Sequence, residues 1–222
     1  MGVDCRYQNV RMNLEGVIKF RVELDTRLCC RESDIEDLEK WRTELRARGM
    51  VGQDTARYDS LGFGNLSKRM EDGTFLITAS QTGHLEKLTA AEYARIEGFE
   101  PARNLIRSKG LKEPSSEAMT HLAIYESDPA TSHVFHVHCP EIWTARNELN
   151  IPVTEPDIEC GTVEMFYEVR RMLENWDDPQ RTILAMGGHR DGIMSWGRTA
   201  LQAGSILLFH LSLLQNRALR AA

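Results

Sequence analysis

Apolar and charged residues alternate along a short segment near the start of the 222-residue chain. The apolar positions are Ile18, Phe20, Val22 and Leu24, and a charged residue stands between each neighbouring pair. Alternation with a period of two is typical of a β-strand with one buried face and one solvated face. The pattern therefore predicts a strand over residues 18–24.

The pattern changes to helical spacing directly afterwards. Apolar residues at intervals of three and four form a stripe that consists of Ile35, Leu38, Trp41 and Leu45. Ser33 and Glu36 have the spacing of a capping box, and Gly49 is placed to end the helix. Acidic residues lead and arginines trail, as the helix dipole favours. We interpret this segment as a structural helix.

The rest of the chain is predicted to mix strands and helices. Runs of strand composition occur at 74–78, 132–138, 181–186 and 192–196. One helix is predicted from Pro114 to about Asp128, where Pro129 ends it, and a long one begins at Thr199. No internal repeat and no Pro/Gly/Ser-rich linker divides the sequence. We therefore predict one α/β layered domain over residues 1–222, without regular βαβ alternation.

Composition and charge narrow the class of protein. Hydrophobic residues make up 41% and charged residues 27%, as in ordinary globular proteins. The net charge of −6, without a basic stripe, argues against nucleic acid and anionic membrane surfaces as partners. No apolar run approaches the ~20 residues of a membrane-spanning helix. Asp4 and Arg6 disfavour a signal peptide, and the five cysteines lack framework spacing, so we predict a cytoplasmic protein with reduced thiols.

Three histidines in this sequence have the pattern of metal ligands. His136 and His138 project from one face of a predicted strand, because strand side chains alternate. Such a pair can share a metal ion, although an isolated H-x-H is more often a pair of hydrogen-bonded histidines. A metal needs a third protein ligand, and His189, in a glycine-rich turn, is the best candidate. His133 faces the other way, and the weaker candidates are His84, His121 and His210.

A carboxylate follows two serines at the start of a predicted helix. In the structural interpretation a serine caps the helix and Glu117 lies in its first turn, against the dipole. Glu117 is out of capping-box register with Ser115, whose third following residue is Ala118, so its side chain is free to face a cleft. A carboxylate beside a metal suits proton abstraction from carbon next to a carbonyl.

Two polar loops with glycines could bind an anion. They span residues 62–67 and 77–83, and their backbone N–H and hydroxyl groups are suitable donors. Each loop alone is also an ordinary turn. The first is not a dinucleotide fingerprint, because Ser67 stands where the third glycine is required.

Taken in order, these motifs resemble the class II aldolase/adducin family. They are Gly64-Asn65-Leu66-Ser67, Ile77-Thr78 with its polar loop, Pro114-Ser115-Ser116-Glu117, His136-x-His138 and Gly188-His189-x-x-Gly192. The similarity covers about residues 41–218, which leaves residues 1–32 as a strand-containing N-terminal extension. The family includes fuculose-phosphate and rhamnulose-phosphate aldolases, ribulose-phosphate epimerases and a dehydratase. The resemblance implies a three-layer α/β/α fold with a central, largely antiparallel sheet flanked by helices.

The resemblance also implies roles for individual residues. It makes His136, His138 and His189 the ligands of a divalent metal, usually zinc, and Glu117 the acid/base. The implied substrate-phosphate ligands are Asn65, Thr78, Ser80, Gly83, Ser115 and Ser116. A homo-oligomer, most often a tetramer, is expected for the same reason.

Three features differ from the family pattern. The loop over residues 78–84 is longer than the usual form. Arg190 and Asp191 separate His189 from the next glycine, where the usual pattern is N-H-G. No tyrosine follows Tyr167, whereas some aldolases of the family use a C-terminal tyrosine as a proton donor. These differences indicate a separate branch of the family.

The resulting hypothesis is a metal-dependent aldolase-type lyase. Its substrate is expected to be a small hydroxy-carbonyl compound, in particular a sugar phosphate, which reacts through a metal-stabilised enediolate while Glu117 moves the proton. An epimerase or dehydratase with the same site is the alternative among enzymes. From another class, an adducin-like interaction protein resembles the enzymes but lacks the ligands that His136 and His138 provide here. A metal-binding regulator would not require Glu117, so the sequence favours an enzyme.

Overall fold

A computed structural model of the chain describes residues 16–176 and 181–221. The strands in these ranges are β1 (Arg21–Asp25), β2 (Gly52–Gln53), β3 (Gly62–Phe63), β4 (Asn65–Arg69), β5 (Phe75–Thr78), β6 (Tyr93–Glu100), β7 (Leu105–Gly110), β8 (His133–His138), β9 (Ile183–Ala185) and β10 (Gly192–Gly197). The α-helices are α1 (Glu32–Ala47), α2 (Ala118–Ser127), α3 (Pro140–Thr144), α4 (Val163–Glu174) and α5 (Ala200–Ala221).

Eight strands form one central sheet in the order β1-β7-β6-β5-β4-β8-β10-β9. Its neighbouring strands are antiparallel, with the exception of the parallel pair β1 and β7. Strands β2 and β3 form a separate ribbon. Strand β8 is bonded to β4 on one side and to β10 on the other, and all of its residues are buried.

Helices cover both faces of this sheet. On one face, Leu38 of α1 and Leu207 of α5 pack in the same apolar cluster as Phe135 of β8. On the other face, Met119 of α2 lies in a cluster with Val134 of β8 and with residues of α4. Consecutive strand residues point to opposite faces, so β8 contributes to both clusters. The predicted three-layer α/β/α fold with a largely antiparallel sheet is confirmed.

Most predicted elements are present with adjusted ends. The strand predicted over residues 18–24 is β1, at one edge of the sheet, and the four other predicted strands contain β5, β8, β9 and β10. The predicted C-terminal helix is α5, which begins at Ala200. The helix predicted from Pro114 is α2, but its first residue is Ala118. Residues 1–15, which are part of the predicted N-terminal extension, lie outside the described residues.

The predicted cap of α1 is wrong. The helix begins at Glu32, so Ser33 lies inside it rather than before it. The Asp34 carboxylate accepts a hydrogen bond of 2.8 Å from the backbone N–H of Arg31 and thereby caps the helix earlier than Ser33 and Glu36 would. A carboxylate near a helix N-terminus also interacts favourably with the dipole.

The described residues contain four cysteines, all of them free. Cys29 is buried in the core, where its thiol donates a hydrogen bond of 3.3 Å to the Tyr93 carbonyl. Among the helices of the two described ranges, none has both the length and the apolar character needed to cross a membrane.

Candidate metal centre and active site

Strand β8 places two histidines side by side on the face of the sheet that α2 and α4 cover. The rings of His136 and His138 are 5.1 Å apart between centroids, and both side chains are completely buried. His133 contacts the opposite layer instead, where its Nε2 lies 3.0 Å from a carboxylate oxygen of Asp37 on α1. The alternation of side chains along the strand accounts for both arrangements.

His189 reaches this pair from the turn between β9 and β10. Its ring centroid lies 5.0 Å from that of His136 and 4.7 Å from that of His138, and 3% of the residue is exposed. Gly192 pairs with His138 across the sheet, and a β-carbon at this glycine would lie 3.1 Å from the His189 ring. Gly188 is packed as closely, since a β-carbon there would lie 2.1 Å from the carbonyl oxygen of Ile158. These glycines therefore allow the turn to approach the strand.

The three histidines form a donor set that fits a divalent metal ion. One ligand nitrogen from each of His136, His138 and His189 lies within 4.8 Å of the others. Small side-chain rotations would let all three nitrogens bind one zinc ion, each at the Zn–N distance of about 2.0–2.1 Å. Neutral imidazole suits zinc and similar borderline ions, and three protein ligands leave a coordination position for a substrate.

Glu117 lies beside this donor set. It occupies the N-cap position of α2, is 2% exposed, and has its Oε1 3.9 Å from Nδ1 of His189. Its Oε2 accepts a hydrogen bond of 2.7 Å from the hydroxyl of Thr120. One carboxylate oxygen is therefore held by the helix, while the other faces the histidines.

Cys160 is a neighbour of the site that sequence reasoning missed. Its Sγ lies within 4.8 Å of ligand atoms of Glu117 and His189. Burial, together with the nearby Glu117 carboxylate, raises the pKa of the Cys160 thiol. The positive φ of Gly161 (+69°) lets the loop approach the backbone of Ser116 closely. The lone cysteine gave no signal of this proximity in the sequence.

The structure brings several of the predicted phosphate ligands together. The backbone N–H of Ser115 donates to the Thr78 carbonyl at 3.2 Å, and that of Ser80 donates to the Glu113 carbonyl at 2.9 Å. The loop after β5 therefore lies beside the segment that contains Ser115 and Ser116, both of them buried. These contacts place two of the predicted anion-binding segments next to each other.

Asn65 lies close to the metal centre in the sheet. It pairs with His136 across β4 and β8, so both side chains leave the same face. The Oδ1 atom of Asn65 is buried and has no hydrogen-bond partner among the described residues. A buried polar atom of this kind usually has a partner, so this acceptor oxygen is available to a donor group of a bound ligand.

Two other predicted phosphate ligands are engaged in the fold. The Thr78 hydroxyl accepts a hydrogen bond of 3.4 Å from the backbone N–H of Leu66. Gly83 packs against the β2–β3 ribbon, where a β-carbon would lie 2.1 Å from the Gly52 carbonyl oxygen. Arg46 donates a hydrogen bond of 2.6 Å to the Gly83 carbonyl. Close backbone packing is therefore one reason for a glycine at this position.

Two aromatic rings, those of Tyr58 and Phe63, pack beside His138, and sequence reasoning missed both. The Tyr58 ring lies 4.5 Å from the His138 ring in an edge-on arrangement, and the Phe63 ring lies 5.4 Å from it. The guanidinium of Arg57 lies 4.9 Å from both aromatic rings. Burial and the Asp191 carboxylate raise the pKa of Tyr58 to about 12, against the opposing effect of Arg57.

Residues 53–211 match the sequence family described as Class II Aldolase and Adducin N-terminal domain. The chain belongs to this family. The match includes the three histidines, Glu117 and every predicted phosphate ligand. It confirms the family resemblance of the sequence motifs. No curated protein sequence matches the chain significantly.

Several solved structures have a similar fold. An L-fuculose-1-phosphate aldolase from Thermus thermophilus is 20% identical, with a TM-score of 0.59 over 84% of this chain and 95% of that protein. A sugar-phosphate aldolase from Thermotoga maritima is 18% identical, with a TM-score of 0.61 over 86% and 96%. YgbL from Escherichia coli, a putative aldolase/epimerase/decarboxylase, is 16% identical, with a TM-score of 0.60 over 85% and 88%. At these identities the similarity establishes the fold.

Proposed function

We propose that this protein is a metal-dependent lyase of the aldolase type. Its proposed substrate is a small hydroxy-carbonyl compound, in particular a sugar phosphate. The observation that carries the proposal is the convergence of three buried imidazoles with one carboxylate oxygen of Glu117, 3.9 Å from His189. We propose zinc as the ion, bound by His136, His138 and His189. When bound, the ion would act as a Lewis acid toward the substrate carbonyl.

The chain itself supplies the base. Oε1 of Glu117 faces the site, so it is the atom that accepts a proton from the carbon next to the carbonyl. In the addition direction the electron pair of that C–H bond enters an enediolate, whose carbon forms a bond to the carbonyl carbon of an aldehyde while the aldehyde oxygen takes up a proton. Cleavage is the reverse: the C–C bond breaks, its electron pair enters the enediolate, and the Glu117 carboxyl group returns the proton to carbon. Thr120 holds Oε2 and so keeps Oε1 directed toward the reaction centre.

The phosphate is assigned to the polar residues beside this centre. Asn65, Ser115 and Ser116 are buried. The segment that contains the two serines lies next to the loop that contains Ser80, and Asn65 pairs with His136 across the sheet. Their amide and hydroxyl groups are hydrogen-bond donors that suit a phosphate. Two of the similar structures are aldolases named for phosphorylated sugars, which supports this substrate class.

An epimerase or a dehydratase could use the same proton abstraction. YgbL, which shares the fold, is described as a putative aldolase, epimerase or decarboxylase. Proteins with this fold are therefore described with more than one type of reaction. An adducin-like role as an interaction protein would not need a buried carboxylate beside three histidines. We therefore place lyase activity first and the other reactions of the same intermediate second.

The central experiment follows hydrogen exchange at carbon. Wild-type protein with zinc should exchange the α-proton of dihydroxyacetone phosphate in heavy water, as measured by NMR. Glu117→Gln should slow the exchange by about 100-fold or more while the metal stays bound. Glu126→Gln, on the exposed side of the same helix, is the matched control. Undiminished exchange in Glu117→Gln would overturn the assigned base, and exchange without carbon–carbon cleavage would favour the isomerase alternative.

Metal content tests the ligand set independently of the reaction. We expect about one zinc ion per chain, lost in mild acid as the imidazoles protonate. His136→Ala and His138→Ala should lose the ion, whereas His133→Ala, on the opposite face of β8, should keep it. Full zinc content in the first two variants, measured by elemental analysis, would show that the ligands are wrong.

The proposal extends to assembly and location. We propose a homotetramer, which is supported by the large exposed side chains on α5, of which Leu201 is 65% and Phe209 is 55% exposed. Light scattering at micromolar concentration would show a monomer if this is wrong.

We also propose that the protein works in the cytoplasm on a diffusible small molecule.

A further inference from the structure

Three consecutive residues beside the metal centre have a left-handed backbone. The φ angles are 50° for Tyr58, 54° for Asp59 and 62° for Ser60, and none of these residues is a glycine. Left-handed conformations are strained for residues with a side chain and are unusual for a bulky one. Such strain persists only where surrounding contacts fix it, and it is concentrated at functional sites.

The side chain of Tyr58 makes two contacts that fix this segment. Its ring packs edge-on against His138 at 4.5 Å between centroids. Its hydroxyl donates a hydrogen bond of 2.8 Å to Oδ2 of Asp191 and accepts one of 2.8 Å from Nη2 of Arg57. Tyr58 therefore joins strand β8, at His138, to the turn that contains His189.

Asp191 completes the connection. It is one of the two residues that separate His189 from the next glycine, and it is 7% exposed with a φ of 65°. Its backbone carbonyl accepts a hydrogen bond of 2.8 Å from the N–H of Cys139, directly after His138. Asp191 is thus bonded through its backbone to the end of β8 and through its side chain to Tyr58.

We propose that Tyr58 and Asp191 are positioning residues of the metal centre that hold His138 and His189 in the geometry needed to bind the ion. This inference rests on the proposed metal centre. The two histidines belong to different elements, so their relative position depends on contacts between those elements. The Tyr58–Asp191 bond fixes the turn after His189, and the Tyr58 ring restricts rotation of His138. We therefore assign Asp191, between His189 and the next glycine, a function in metal retention.

Zinc release from the full-length protein tests this inference. The zinc-loaded protein is mixed with a chromogenic chelator, and the release rate and zinc affinity are measured for Tyr58→Phe, for Asp191→Ala, which removes the acceptor of the Tyr58 hydrogen bond, and for the double variant. Loss of groups that orient metal ligands typically weakens metal binding 10–100-fold, so we expect about tenfold faster release from each single variant. The double variant should release zinc no faster than the more affected single one, because both changes break one bond.

Tyr93→Phe is the matched control. It removes a comparable hydrogen bond of 2.7 Å, from the Tyr93 hydroxyl to Glu39, on the other side of the sheet. Its zinc release should equal that of the wild type, and thermal denaturation checks that every variant is folded. The absorption spectrum of the cobalt-substituted protein provides a second readout, since it should change in Tyr58→Phe and not in Tyr93→Phe.

The outcomes separate this inference from the proposed function. If the wild type binds zinc and both site variants release it at the wild-type rate with an unchanged cobalt spectrum, the positioning role is wrong and the metal centre stands. If the wild type binds no divalent ion, both are wrong. Additive effects in the double variant would show that the two residues act separately and would overturn the proposed pair.

Discussion

The two oxygens of the Glu117 carboxylate have different surroundings. Oε2 is bonded to the Thr120 hydroxyl at 2.7 Å, and Thr120 itself is fully buried one helical turn further along α2. Oε1 lies 3.9 Å from the imidazole of His189. Because a buried carboxylate with one fixed oxygen has little rotational freedom, the Thr120 hydroxyl determines which oxygen of Glu117 faces His189.

Thr120→Val should lower the turnover number of proton exchange by about tenfold, a loss typical of a hydrogen bond to a charged group. KM should stay unchanged, since the hydroxyl touches the base and not the substrate. Thr120→Ser should restore the rate, because it keeps the hydroxyl. Ser127→Ala removes a hydroxyl further along the same helix and should have no effect. Equal rates in the valine and wild-type proteins would exclude this role for Thr120.

Sequence reasoning selected the three histidines and Glu117 as candidates for reasons that are local in the chain, and the structure brings these side chains together. Strand alternation is enough to place His136 and His138 on one face, and glycines beside His189 indicate a close turn. Tyr58 and Thr120 carry no comparable signal. A tyrosine in a polar loop and a threonine in a helix gain their roles only from contacts between distant segments, and periodicity contains no information about those contacts.

At the scale of secondary structure, the same limit explains why strands β6 and β7 were missed. Strand β6 contains Arg95, Glu97 and Gly98 and has a bulge between Ile96 and Gly98, so its alternation is interrupted. Strand β7 has a similar mixture of charged and apolar residues. Both lie toward the β1 edge of the sheet. Pairing with neighbours, which the sequence does not display, determines their structure.

One charged cluster attaches α1 to the centre of the sheet. Asp37 of α1 lies 3.0 Å from Nζ of Lys68 on β4 and 3.0 Å from Nε2 of His133 on β8. Burial alone would raise the pKa of the Asp37 carboxyl, but the hydrogen bonds from His133 and Lys68 outweigh it and lower the pKa. The ionised carboxylate therefore stabilises the contact between helix and sheet.

Asp37→Asn should destabilise the metal-free protein at pH 7 by about 1 kcal/mol or less, because the carboxylate is partly exposed and screened. The folded pKa lies below the unfolded value of about 3.9, so the contribution is complete above that pH and is lost as the pH falls below it. Urea unfolding at pH 7, 4 and 3 should show the two proteins converging in acid. Glu71→Gln, which changes an exposed carboxylate in a turn, is the control. A constant difference between the wild type and Asp37→Asn at all three pH values would contradict the assignment.

At the scale of the whole molecule, a buried network of polar side chains between the sheet and α2 affects the stability of the fold. His121 is fully buried one turn after Glu117, and its Nδ1 lies 2.7 Å from the hydroxyl of Ser67. The Ser67 hydroxyl also lies 2.8 Å from that of Tyr125. This network lies in the core against which α2 packs, so the charge of His121 affects the stability of the entire fold.

Protonation of His121 should therefore contribute to acid unfolding. Burial lowers the pKa of His121 in the folded protein to about 3, whereas the pKa of a histidine in the unfolded chain is about 6.5. Between these values the unfolded chain binds the extra proton, so stability falls as the pH decreases from about 6.5 toward 3, by up to about 1.4 kcal/mol per pH unit. Urea unfolding of the metal-free protein from pH 7 to 4 should show this slope in the wild type and a shallower one in His121→Gln, whose amide can still bond to Ser67. His210→Gln, on the partly exposed face of α5, is the control and should keep the wild-type slope. Equal slopes in the wild type and His121→Gln would show that acid lability has another source.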